Sequence, residues 1–247
     1  MSAQSSTAVL AIATSAALML SIASVRAVDS NYPDWRGQWN RFIVPGVDAP
    51  MNPGFDQTKP WGLEQQAPLT AEYRKVLMDS MADQVKGGLG NYPSARCVPG
   101  GMPHMMFAFM PQEYVITPNT TYILLGYNDH YRRVFTDGRE LPKNPEPAWF
   151  GYSVGKWVGN TFVVESSGFN DKSWIDDDGH PHSDALHTTE RFRRPDVGHL
   201  IMDITIDDPK AYVKPWSATV HFHLLPDYEL IESVCDNEKD QEHMLGR

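Results

Sequence analysis

The chain has 247 residues, 21 basic against 31 acidic, for a formal net charge of −10. That acidic balance works against a polyanionic partner and excludes nucleic acid as the expected ligand. No Lys/Arg run marks a membrane-surface segment either.

Ala8 to Ala23 is small and apolar, with Leu10, Ile12, Leu18, Met19, Leu20 and Ile22. It is followed by Val25-Arg26-Ala27, a small-x-small cleavage pattern. This reads as a secretory signal peptide over residues 1–27, too short to span and stay. An uncleaved anchor is the alternative. The mature chain, 28–247, is expected to be one domain of about 220 residues. It has no second long apolar stretch, so it is expected to be soluble, periplasmic or secreted, and off the membrane after cleavage. A homo-oligomer stays open.

Asp34-Trp35-Arg36-Gly37-Gln38-Trp39 opens a short strand ending near Phe42. Pro45 to Pro68, rich in Pro, Gly and Asn, reads as an extended segment wrapping a surface. Thr70 can cap a helix that runs to Val85 and stops at Gly87-Gly88. Tyr73, Val76, Leu77, Met81 and Val85 fall on one stripe and predict its packing face. Cys97 to Met106 is a Pro/Gly-structured loop. Its methionines fill core or line an adaptable pocket, and beside His104 they could also hold copper(I).

From Glu113 the pattern turns to short strands. Tyr114–Thr117 and Thr120–Leu125 flank the hairpin signal Pro118-Asn119, and His130–Thr136 ends at Asp137-Gly138. Ser153–Trp157 and Thr161–Glu165 flank Val158-Gly159-Asn160. Leu186–Arg193, His199–Ile206, Ser217–Leu225 and Glu229–Val234 follow. Nine or ten short strands at regular spacing predict an antiparallel meander, and a closed barrel removes its own edges.

Two cysteines, Cys97 and Cys235, would pair in an oxidising compartment. Two separate thiols are the alternative.

The residues that could carry chemistry concentrate between Gly151 and Arg194. Three of the nine histidines lie there, His180, His182 and His187, with Asp184 and Glu190 among them. On the strand from Leu186, alternation puts Leu186, Thr188, Glu190 and Phe192 on one face and His187, Thr189, Arg191 and Arg193 on the other. If the Leu/Phe face is the lumen, Glu190 is a desolvated carboxyl fit for acid–base work. The bland alternative is an ion pair with Arg132 or Arg133. His182 or His187 with Asp184 could form an oriented imidazole. His180, His182 and His187 would be the ligands if a metal were bound, but the spacing fits no named site, so none is expected. His221-x-His223 repeats the His-x-His pattern. Asp176 to Asp178 reads as a solvated turn, and Asp207-Asp208-Pro209 as a strand end in preference to a calcium site. No Gly-x-Ser-x-Gly elbow argues for a serine hydrolase. No phosphate-binding glycine loop follows a strand, so no cofactor is expected. His104, His130, Tyr131, Arg132, Arg133 and Trp174 are the expected substrate-binding residues. Of these, His130, Arg132 and Arg133 would hold an anionic or phenolic oxygen. Trp149, Trp174 and Tyr131 would border a mouth for an aromatic or isoprenoid molecule.

Gly37-x-Trp39 on the first strand, one helix and a meander of this length resemble the lipocalin or calycin architecture. Here the helix follows the first strand, whereas lipocalins place theirs near the C-terminus. The chain is also similar to a family of exported, largely uncharacterised bacterial proteins. The motifs are Asp34-Trp-x-Gly-x-Trp39, Cys97-x-Pro-Gly-x-Met-Pro103, Arg132-Arg-x-Phe-Thr-Asp-Gly-Arg139 and Gly155-x-Trp-x-Gly-Asn-Thr161. They continue with Gly168-Phe-Asn-Asp171, His182-Ser-Asp-Ala-Leu-His-x-x-Glu-Arg191, Asp207-Asp-Pro-Lys210 and Cys235. The resemblance spans most of the mature chain and implies a fold without an activity. The expected fold is thus all-β, mainly antiparallel: a lipocalin-like barrel with one short α-helix and an extended N-terminal segment.

The leading functional expectation is a cofactor-independent exported enzyme, a lyase, isomerase or hydratase acting on a small apolar or phenolic molecule. His182, Asp184, His187 and Glu190 would be its acid–base groups. The rival is a periplasmic binding protein for a small hydrophobic ligand, and a third reading is a His-cluster metal-binding protein.

Overall fold

A computed structural model describes residues 34–44, 67–90, 92–93, 97–176 and 179–235. The expected signal peptide, most of the segment from Pro45 to Pro68 (with Trp61), and Asp177 and Asp178 lie outside the described residues.

The chain folds as an all-β, lipocalin-like closed barrel of nine strands in sequence order. They are β1 Gln38–Phe42, β2 Gln112–Ile116, β3 Thr120–Leu125, β4 His130–Phe135, β5 Tyr152–Val158, β6 Thr161–Ser167, β7 His187–Arg193, β8 His199–Asp207 and β9 Trp216–Leu225. β1 pairs with β9 from Gln38↔Leu225 to Phe42↔His221 and closes the ring. Each expected strand but one is present within two residues of its expected ends. The exception is Glu229–Val234, which is not a strand. With β1 already paired to both β2 and β9, the barrel offers no free edge for it to join.

One joint departs from the expected antiparallel meander. β4 and β5 run parallel, and their ladder covers only Val134↔Ser153 and Phe135↔Val154. The connection 136–151 between them holds Pro142, Pro145 and Pro147, which cannot donate to a ladder. Ala148 instead bridges to Phe169, and Met102 N–H donates to Trp149 O at 2.8 Å, which fixes the end of the crossover.

Period-2 alternation sets the interior. On β8, Leu200, Met202, Ile204 and Ile206 are each fully buried. On β7, Thr188, Glu190 and Phe192 point in, and Arg191 and Arg193 are exposed. Trp35 lies inside, edge-on to Tyr114 (5.2 Å) and Trp157 (5.1 Å) and near Phe162 and Phe192. Such aromatic pairs add about 0.5–1.5 kcal/mol each beyond area burial. Met102, Met105 and Met106 belong to this same core, filling irregular space.

α1, Ala71–Val85, begins as expected at Thr70, whose hydroxyl accepts from Tyr73 N–H at 3.5 Å. Its expected packing stripe is wrong in detail. Leu77 and Ser80 are buried, but Val76, Met81 and Val85 are exposed. The helix meets the barrel along one narrow edge, beside the residues after β8: Thr70 N–H donates to Ala211 O at 2.8 Å. A second, four-residue helix was not expected: α2, His104–Phe107.

Cys97 and Cys235 form a disulfide, with Cα atoms 5.5 Å apart. It ties the loop before α2 to the segment after β9.

Candidate functional site

The short parallel ladder leaves the β5-facing edge of His130–Arg133 unpaired beside Phe150 and Tyr152. A groove of about 600 Å³ opens there, lined by residues 128–133, Phe135 and 150–153. That volume suits a drug-sized molecule. Its rims are fixed. Asp129 accepts from Ser233 N–H at 2.9 Å, which draws the C-terminal segment against one side. The His130 and Phe150 rings lie 5.5 Å apart, and those of Phe135 and Tyr152 lie 5.1 Å apart.

The chemistry of the wall is aromatic and cationic. Tyr131 is 54% exposed. The Arg133 guanidinium sits over Phe135 at 5.8 Å and Tyr122 at 5.9 Å. His130 Nδ1 bonds the Asn128 carbonyl. Because a carbonyl only accepts, Nδ1 carries the proton, and in the neutral ring Nε2 is the acceptor.

Arg132 and Ser153 form the inner floor, both buried. Arg132 Nη1 donates to Glu190 Oε1 at 2.9 Å, and Nη2 donates to Oε2. Nε reaches Ser153 Oγ at 3.2 Å and Nη2 reaches Ser166 Oγ at 2.9 Å, with the two serine hydroxyls 2.8 Å apart. Cross-strand alignment makes this cluster: Ser153 faces Ser166, and Glu190 faces Val164 one step along. Burial, and secondarily the Glu190 charge, push the Tyr114 phenol well above its ordinary range. Glu190 therefore does not stand as a lone carboxyl in an apolar lumen. The cation it would need is already in place: the ion pair with Arg132, the alternative weighed for this residue, is the arrangement the structure holds.

The other expected acid–base groups do not converge on this cluster. His187 lies on the outward-alternating face of β7, half-buried, opposite Asp207. Asp184 orients neither imidazole. It is exposed, and Lys210 Nζ donates to it at 2.5 Å, which holds its carboxyl below the ordinary range. His182 is buried, its Nε2 2.8 Å from Ser173 Oγ and its Nδ1 3.0 Å from the Ser183 carbonyl. Ser183 is itself fixed by Asp208, which accepts its N–H at 2.6 Å and its hydroxyl at 2.7 Å. Asp208 thus ends β8 and anchors the loop, as expected of a strand end.

His180 and Asp176 form a buried pair, with Nδ1 2.8 Å from Oδ2. Burial raises the Asp176 carboxyl, but the charge and hydrogen bonds of His180 outweigh it and hold the carboxyl low. Asp176 is therefore no solvated turn residue. His104 and Trp174 are buried and meet through Tyr92, which stacks on Trp174 at 4.8 Å and lies 6.3 Å from His104. They are thus separated from the other four expected binding residues, which line the groove. Trp174 borders no mouth there. Among the described residues, no group of three His, Cys, Asp or Glu side chains is arranged to hold a metal ion.

Sequence reasoning missed Phe150, Tyr152 and Ser173. The first two were detectable: a proline-rich connection of that length is no hairpin, so its far end had to return beside β4. Ser173 carried no local signal, since only the fold brings it to His182.

Stability should follow protonation of the buried groups. Burial lowers the His182 pKa, so the unfolded chain takes up its proton first as pH falls. Its contribution is present above about pH 6.5 and fades below it. Asp176, also depressed, adds a loss below about pH 4. Thermal melts should show Tm falling from pH 7 to pH 5 and faster below pH 4. A Tm that stays level or rises over that range would contradict both assignments.

Comparison with protein-family models, with curated proteins and with solved structures gives no match for this chain.

Proposed function

We propose that the protein is an exported binder of a small aromatic molecule bearing a phenolic or anionic oxygen, held in the groove between β4 and β5. The observation that carries this reading is the groove itself, with a cation over aromatic rings and an oriented imidazole on one strand edge. A flat ring would stack among Tyr131, Phe150 and Tyr152. A phenolic O–H would donate to His130 Nε2, and a carboxylate would meet Arg133. In the groove, binding is favoured over proton-transfer catalysis because Glu190 is fully buried and bidentate to Arg132, while His182, Asp184 and His187 are not among the groove's lining residues.

Export accords with the apolar leader, with the disulfide, and with the fact that no described helix is long and apolar enough to cross a membrane. The likeness to exported bacterial proteins belongs to the same reading and rests on the motifs alone.

Titration of the protein with 4-hydroxybenzoate, followed by amide NMR, should shift signals of residues 128–133 and 150–153. Arg133→Ala should weaken binding about 10-fold, the worth of one charge-assisted hydrogen bond. Shifts that avoid the groove, or an affinity unchanged by Arg133→Ala, would remove the reading. Conversion of any phenolic compound in a product screen, lost on Glu190→Gln, would restore the enzyme.

A further inference from the structure

The geometry points to a second site outside the groove: Ser173 and His182 form a nucleophile–base dyad able to cleave small acyl esters. Four observations converge on it. Ser173 Oγ and His182 Nε2 are 2.8 Å apart, within proton-transfer reach. His182 Nδ1 lies 3.0 Å from the Ser183 carbonyl. A carbonyl cannot donate, so the Nδ1 proton is fixed and Nε2 is left as the acceptor of the serine proton. The ring packs nearly perpendicular to Phe169, at 78° with centroids 6.4 Å apart, so apolar packing also holds its plane. Burial disfavours the imidazolium against the opposing influence of the Ser183 carbonyl, Asp208 and Asp171, so the ring is a neutral base near pH 7.

The backbone is shaped to the nucleophile as well. Gly101 has φ +72°, and a Cβ there would stand 2.6 Å from both Cβ and Oγ of Ser173. Only glycine lets the loop before α2 approach the hydroxyl so closely. Nucleophile, base and orienting acceptor are the parts of a serine acyl-transfer site, here with a main-chain carbonyl where a carboxylate is commoner. The constellation is recognised by geometry, so the missing Gly-x-Ser-x-Gly elbow does not count against it.

In the reaction, Ser173 Oγ bonds to the ester carbonyl carbon as its proton passes to His182 Nε2. The bond from that carbon to the alkoxy oxygen breaks, and the alcohol leaves with the proton from Nε2. Water then attacks the acyl-serine, giving a proton to Nε2. The carboxylic acid departs, and the proton returns to Ser173 Oγ. No oxidant or metal is required.

The test uses the full mature chain with diisopropyl fluorophosphate and with p-nitrophenyl acetate. Peptide mass spectrometry of the wild type should place the phosphoryl adduct on Ser173. Ester hydrolysis should fall about 10²–10⁴-fold in His182→Gln and in Ser173→Ala, the share of a general base or its nucleophile. Adduct on another residue, no adduct after prolonged exposure, or hydrolysis surviving in a folded Ser173→Ala would each overturn the proposal. The adduct is mapped on unaltered protein, so a variant that fails to fold leaves the test intact. The groove does not enter it: 4-hydroxybenzoate binding should persist in Ser173→Ala.

Discussion

Glu190→Ala should lower the unfolding free energy by about 3–5 kcal/mol, because it leaves the Arg132 guanidinium buried without its counter-charge. Arg132 is 1% exposed, and its remaining partners are the neutral hydroxyls of Ser153 and Ser166. Two hydroxyls cannot replace a bidentate carboxylate. The double variant Arg132→Met/Glu190→Leu should behave differently. It removes both charges, keeps much of the volume, and leaves the two serines bonded to each other at 2.8 Å. Replacing a whole buried pair by apolar residues is often neutral or stabilising. Urea unfolding should therefore find the double variant closer to wild type than Glu190→Ala. If the double variant instead loses as much as or more than the single one, the pair is a net stabiliser and the desolvation argument fails.

Loss of the disulfide should be as large. Cys97 and Cys235 are 138 residues apart, and the chain-entropy model gives about 5 kcal/mol for a loop of that length. Natural bonds commonly deliver about 2–5 kcal/mol. Cys97→Ser/Cys235→Ser should therefore shift the guanidinium midpoint well down, with the segment before Cys235 loosened. That segment also gives Ser233 N–H to Asp129 at the groove rim, so ligand affinity should fall with it. A midpoint within experimental error of wild type would show that the bond adds no constraint beyond the closed barrel.

Most of the barrel was legible because its signal is local. Alternation and turn residues placed β2 through β9, and Leu186 and Phe192 gave the inward face of β7 and hence of Glu190. Which arginine meets Glu190 was less so. Arg132 and Arg133 are adjacent, and only the alternation of β4, read with Val134 inward, selects Arg132. The face of α1 was misread because helical spacing alone cannot say how wide a contact the barrel offers. Only the edge through Tyr73, Leu77 and Ser80 is covered. The histidine loop was misread as one cluster because sequence proximity hides tertiary partners. Asp208 and Lys210, some 25 residues downstream, and Ser173, nine residues upstream of His182, decide where Ser183, Asp184 and His182 are held.

The parallel joint between β4 and β5 follows from arithmetic. Around a closed ring, antiparallel neighbours must alternate up and down, and that alternation returns to its start only for an even number of strands. Nine is odd, so one pair must run the same way. Strands running the same way cannot share a tight turn, and the chain must travel the length of the wall to re-enter. Here it does so through the proline-rich connection 136–151, which rejoins β4 for only two residue pairs. The groove is the space left by that incomplete return. A tenth strand would restore parity and close the wall as a uniform cylinder, with no cleft on its side.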